Sequence, residues 1–132
     1  MDYIRSWTER RPVLALLTVL LVWLLLRVVF FDASVWVWDD WFHVRYAYLW
    51  PGPPQNIYDA RLFFNAMLRA SMALLGFRPI AWALPGLLAS LMTALSAYWL
   101  GLRKLGPMGA LTAGLVTACM PIDILYSSAC TP

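Results

Sequence analysis

Two adjacent carboxylates, Asp39 and Asp40, stand in the stretch VWVWDDWFHVRYAYLW, with His43 and Arg45 close behind and aromatic rings on every side. A carboxylate of this kind can take a proton from an acceptor hydroxyl. It can also help hold a divalent metal against a phosphate. Two carboxylates side by side repel each other, so one of them titrates high or the pair shares a cation. His43 and Arg45 lie within one or two helical turns and could meet an anionic headgroup. The bland reading is that one aspartate caps a helix start, where negative charge is favoured, and the other is solvated. In a helix, Asp39, His43, Tyr46 and Trp50 share one side, and Asp40 lies above Val44 and Ala47.

The elements that must position these groups are apolar. Of 132 residues, 62% are hydrophobic and 13% charged, against about 45–50% and about 25% in ordinary soluble domains. A chain this short has too much surface to hide so many apolar side chains from water, which points to a bilayer as its solvent. The net charge of +3 includes no dense basic run, so nucleic acid is not an expected partner. Cys119 and Cys130 have no metal-ligand spacing and read as two unpaired helix cysteines.

Three spans are expected, over residues 13–31, 79–102 and 107–126. The basic start and apolar run of the first also fit a signal peptide. No small-x-small cleavage site follows, and Arg27, Phe30, Phe31 and Trp36 occupy the place where a peptidase would cut. The first span therefore reads as uncleaved. Arg27, at its far end, would snorkel to the headgroups or contact a phosphate. In the second span, Pro85-Gly86 is expected to kink the helix. Ala89, Ser90, Ala94, Ser96 and Ala97 there, and Ala110, Ala113, Gly114 and Ala118 in the third, permit close helix packing. Pro121 weakens the last turns, and Asp123 reads either as a carboxylate at the water boundary or as a second group facing the cavity of Asp39.

Arg5, Arg10 and Arg11 in the N-terminal tail, with Arg103 and Lys104 in the tight loop GLRKLGP, place both on the cytoplasmic side. The long connection 32–78 then lies outside, facing a periplasmic, extracellular or lumenal space. It holds two helix-like pieces, about 37–50 and 57–77, around the breaker PGPPQN. The second carries Leu62, Asn65, Arg69 and Met72 on one face and Phe64, Leu68, Ser71 and Leu75 on another. Charges within so apolar a helix suit one lying in the interface. The fold expected is an all-α polytopic membrane protein with three transmembrane and two interfacial helices. Three helices carry more packing-type small residues than they can use on each other, so the chain is expected to be the N-terminal part of a longer protein.

With this organisation the chain resembles the N-terminal region of GT-C glycosyltransferases, multi-span enzymes with polyprenyl-phosphate-linked sugar donors. Many members carry Asp-Glu or Asp-Asp near the start of a long first external loop, as Asp39-Asp40 does here. The run Asp39-Asp40-Trp41-Phe42-His43-Val44-Arg45 is also similar to the Asp-Pro-Trp-Phe-Asn-Tyr-Arg run of oligosaccharyltransferase catalytic subunits, departing at Asp40, His43 and Val44. The resemblance covers nearly the whole chain in topology and seven to nine residues in motif. It implies that Asp39 is a catalytic or metal-binding carboxylate, the metal a divalent cation such as Mg or Mn, with Asp40 assisting. Arg45, His43 and, more remotely, Arg69 would bind substrate, the two arginines through the donor phosphate. The implied partners are the bilayer, the lipid-linked donor and a protein, lipid or glycan acceptor. Two other readings stay open: a non-catalytic membrane subunit that docks a partner through its aromatic, acidic helix, and a transporter fragment. Transport favours charges at mid-depth in broken helices, whereas Asp39 and Asp40 lie outside the expected spans.

Overall fold

A computed structural model describes residues 12–31, 38–49 and 62–128; the side chains of Trp38, Asp39, Asp40 and Ser128 lie outside what it describes. All regular structure among the described residues is helical: α1 Pro12–Val29, α2 Trp38–Leu49, α3 Leu62–Leu75, α4 Pro79–Ala118 and α5 Pro121–Ser128. α1 and α4 are long and apolar enough to cross a membrane. Only 22% of the most apolar stretch of α1 and 28% of that of α4 is buried within the protein. Side chains such as Leu21, 63% exposed, and Val28 stand outward. α3 is apolar but has 14 residues, about 21 Å of helix and short of a bilayer core of about 30 Å.

The chain forms two compact units: residues 1–30 with 89–125, and residues 31–88 with 126–132. In the first unit α1 packs against α4, and α4 is broken within itself. Its backbone leaves the helical region at Gly106, with φ 75° and ψ −172°. That combination is open almost solely to glycine, and Pro107 then restarts the helix where its fixed φ suits a first turn. The two arms fold back on each other. A Cβ placed on Gly101 would lie 2.8 Å from the Gly109 carbonyl oxygen and 2.9 Å from Ala110 Cα. α1 lies against both arms: a Cβ on Gly114 would meet the Val19 methyls at 2.9 and 3.0 Å and Tyr98 Cβ at 3.5 Å. Ala15, Val19, Tyr98 and Ala110 form the core of this unit. Of the small residues expected to pack, Ser90, Ala94, Ala110, Gly114 and Ala118 are buried, whereas Ala89 and Ser96 are exposed.

At Pro85-Gly86 the backbone stays in the helical region, and the chain leaves it at Gly106, the turn before Pro107. Pro85 has no N–H to offer the carbonyl of Ala81, one turn back. The buried Ser71 hydroxyl lies within hydrogen-bond reach of that carbonyl and of the Leu68 carbonyl, at 2.8 Å, and shares its one proton between them, so the acceptor freed by the proline has a donor beside it. Gly86 admits α5 closely; a Cβ there would stand 3.2 Å from the Tyr126 carbonyl oxygen. The expected helix 107–126 is divided at 119–120. Pro121 cannot donate to Thr117, and the N–H of Met120 takes that carbonyl at 3.3 Å.

In the second unit α2 and α3 pack against each other, with Val44, Ala47, Leu68, Met72 and Ala81 at the core. α3 buries Asn65, Leu68, Ser71 and Met72. This seam lies between the two faces expected for the helix and takes residues from each. Gly76, with φ 77°, ends α3; its N–H bonds the Met72 carbonyl at 2.8 Å, and a glycine tolerates this left-handed turn. Pro79 opens α4 directly afterwards.

Candidate functional site

α2 presents two faces of different character. Inward, His43, Val44 and Ala47 are fully buried. Outward, Trp41, Arg45, Tyr48 and Leu49 follow one another at one- and two-turn spacing. With Phe77, which Gly76 turns toward them, they line an open hollow of about 460 Å³. Among the described residues that line it, Arg45 is the one charged group, beside rings and an aliphatic chain. A smaller hollow of about 200 Å³ is lined by Tyr48, Arg69, Met72, Ala73 and Phe77. The edge-on ring pair of Tyr48 and Phe77, 5.4 Å between centroids, belongs to both. Trp82 also meets Phe77 edge-on, at 5.0 Å, so the aromatic wall is braced by a third ring.

Asp39 and Asp40 stand in the first turn of α2, one turn ahead of His43 and Val44. Their side chains lie outside the described residues, and so does their expected pairing. His43, expected to bind substrate, lies on the side of α2 that packs on α3. It is fully buried, its Nδ1 is 3.0 Å from Asn65 Oδ1, and its ring meets Phe64 edge-on at 5.4 Å. The physical reason is register: α3 covers the side of α2 that carries His43, and an amide oxygen there satisfies the ring nitrogen. Arg69 has structural work as well. Its Nη1 donates to the carbonyls of Ala47 and Tyr48, both at 3.0 Å, at the end of α2, where carbonyls lack helical partners. Its position fixes the two helices on each other and leaves Arg45 as the exposed guanidinium of the larger hollow.

A second polar site, which the spacing of residues did not reveal, lies in the first unit. Arg27 is 2% exposed and pairs with Asp123, itself 24% exposed. It does not snorkel. Its Nη1 donates to the Ala118 carbonyl at the end of α4, and its Nη2 donates to Ser90 Oγ at 2.9 Å and to Asp123 Oδ2. Ser90 also accepts the Trp23 indole N–H at 2.9 Å and donates to Asp123 Oδ2 at 2.7 Å. One donor and two acceptor positions are all a hydroxyl has, and Ser90 uses them all. The indole ring of Trp23 stacks on the guanidinium at 5.4 Å. Asp123 thus answers a charge of its own unit. The partners of Arg27 come 63, 91 and 96 residues later in the chain, which is why periodicity could not find them.

Cys119 is a free, exposed cysteine; Cys130 lies outside the described residues. Among the described residues no three His, Cys, Asp or Glu side chains converge as a metal-binding group. The expected divalent cation would rest on Asp39.

No protein-family model, curated protein or solved structure matches the chain.

Proposed function

We propose that the chain is the membrane-embedded N-terminal module of a glycosyltransferase of the GT-C type, and that α2 holds the phosphate of a polyprenyl-linked sugar donor at the outer water–lipid boundary. The observation that carries this reading is Arg45, an exposed guanidinium in an aromatic hollow of about 460 Å³, on the helix whose first turn carries Asp39 and Asp40. A guanidinium recognises phosphate oxygens through paired charge-assisted hydrogen bonds, while Trp41, Tyr48, Leu49 and Phe77 suit the isoprenoid beside it.

The proposed topology has three spans: α1 and the two arms of α4, the last continued by α5, with α2 and α3 as interfacial helices outside. Its support is the order of charges in the first unit. Tyr98 donates to the Pro12 carbonyl at 2.7 Å, so the end of α1 that follows Arg10 and Arg11 lies level with the turn carrying Arg103 and Lys104. Arg103 rests on the Trp99 ring at 3.9 Å, as a cation near an interfacial aromatic belt would. That end is cytoplasmic in this reading. Chemistry would run on the opposite side. Asp39 takes the proton of an acceptor hydroxyl, whose oxygen bonds the anomeric carbon as the bond from that carbon to the carrier phosphate breaks. Arg45 holds the phosphate that leaves. Asp40, next to Asp39, assists by disfavouring the loss of the captured proton.

The test is a titration of the chain in nanodiscs with undecaprenyl phosphate, followed by tryptophan fluorescence, with undecaprenol as the uncharged control. Saturable binding that needs the phosphate is expected. Arg45→Gln should weaken it about tenfold to a hundredfold, the worth of one charge-assisted hydrogen bond. In the longest natural protein that contains this chain, Asp39→Asn should bind the carrier and transfer no sugar. Equal response to the phosphate and the free alcohol would reject the donor site. Normal transfer by Asp39→Asn would reject the base.

A further inference from the structure

The Arg27 cluster lies about 22 Å along α1 from Pro12, at the opposite end of the unit from Arg103 and Lys104. A permanently charged group is fully buried there between apolar helices. Among the described residues it bonds groups from three places: the Ser90 hydroxyl from the first arm of α4, the Ala118 carbonyl from the end of the second, and the Asp123 carboxylate from α5. The Ala118 carbonyl is itself at a helix end, where its own helix has no donor for it. An unsatisfied carbonyl in an apolar surround costs several kcal/mol. So the helix break before Pro121 and the charge in α1 each remove the other's penalty.

We propose that Arg27 and Asp123 form an assembly latch: the charge carried in by α1 holds the break at 119–120 open and locks α5 onto the bundle, so the first unit closes only when α5 has docked. The latch is cooperative because Ser90 bonds both charges and Trp23 at once. α1 by itself carries an unsatisfied cation, and α5 by itself is too short to be stable. Any later movement of α5 away from α1 has to break the ion pair and strand a buried guanidinium. This device is independent of the donor site on α2.

The experiment is a double-mutant cycle on the purified chain in mixed micelles, with the folded-to-unfolded ratio read by titration with sodium dodecyl sulfate. Asp123→Leu should lower that ratio about a hundredfold or more, because it leaves the buried guanidinium without its carboxylate; Arg27→Met, which leaves a carboxylate 24% exposed, should lower it about tenfold or more. The double variant should return to within about tenfold of the parent, since a well-packed apolar pair replaces a buried ion pair at little loss. Asp123→Asn, which keeps the shape, should behave like Asp123→Leu. Losses in the double variant equal to the product of the single losses would overturn the latch, and so would silent single variants. Where the single variants fail to accumulate in membranes, accumulation of the double variant supports the latch and its failure refutes it.

Discussion

Gly101 carries the sharpest consequence of the helical hairpin in α4. A Cβ added there would sit 2.8 Å from the Gly109 carbonyl oxygen, 2.9 Å from Ala110 Cα and 3.0 Å from Ala110 N. All three are backbone atoms and cannot rotate aside. Favourable carbon contacts lie at about 3.5–4.0 Å, so the arms must part by roughly half an ångström or more. Forcing an extra methyl into a packed interface costs about 1–3 kcal/mol. Alanine returns about 1 kcal/mol through its better helix propensity. Gly101→Ala should therefore lose about 0–2 kcal/mol net. Gly101→Val adds two methyls against the same backbone and forfeits most of the propensity gain, so it should lose more. The assay is equilibrium unfolding in mixed micelles followed by far-ultraviolet circular dichroism, with exposed Ser96→Ala on the same helix as the control. A gain of about 1 kcal/mol in Gly101→Ala, with Gly101→Val no worse than the parent, would show that the arms do not meet there.

Two further outcomes follow from the backbone. Gly106→Ala has open space around it but must hold φ 75° and ψ −172°; it should lose about 1–3 kcal/mol from strain alone, and a neutral result in the same assay would contradict the turn. Ser71→Ala strands the Ala81 carbonyl that Pro85 leaves unpaired and should cost about 1–3 kcal/mol; Pro85→Ala restores the N–H, so the loss should largely vanish in the Pro85→Ala background, and an undiminished loss there would show that the hydroxyl has another role.

The bundle's stability rests on groups of modest individual strength. A buried Arg–Asp pair is no guarantee of stability, yet it makes partial structures unfavourable, since each half of the cluster is costly alone. The second unit uses the same economy in neutral form. His43 Nδ1 and Asn65 Oδ1 pair across the α2–α3 seam, and Arg69 closes the end of α2 with two bonds. These contacts set the register that turns Trp41, Arg45, Tyr48 and Leu49 outward together.

Much of the local structure follows from residue order alone. The apolar runs at 13–31 and 79–102, Gly106-Pro107 as a turn, Pro79 as a helix start and the small residues as packing positions are all local signals. They act within one or two turns of chain, so composition and period reveal them. What the tertiary structure decided was the partner of each polar side chain. Arg27 could have reached headgroups; Asp123, Ser90 and Ala118, drawn beside it by the folded arms of α4, keep it inside. His43 shared a sequence pattern with Asp39, but the side that α3 covers buried it. Pro85 frees an acceptor, and a hydroxyl from α3 lies within reach of it. In each case the deciding energy is the desolvation of one polar group, and whether it is met depends on a residue distant in sequence that only folding brings within hydrogen-bond range.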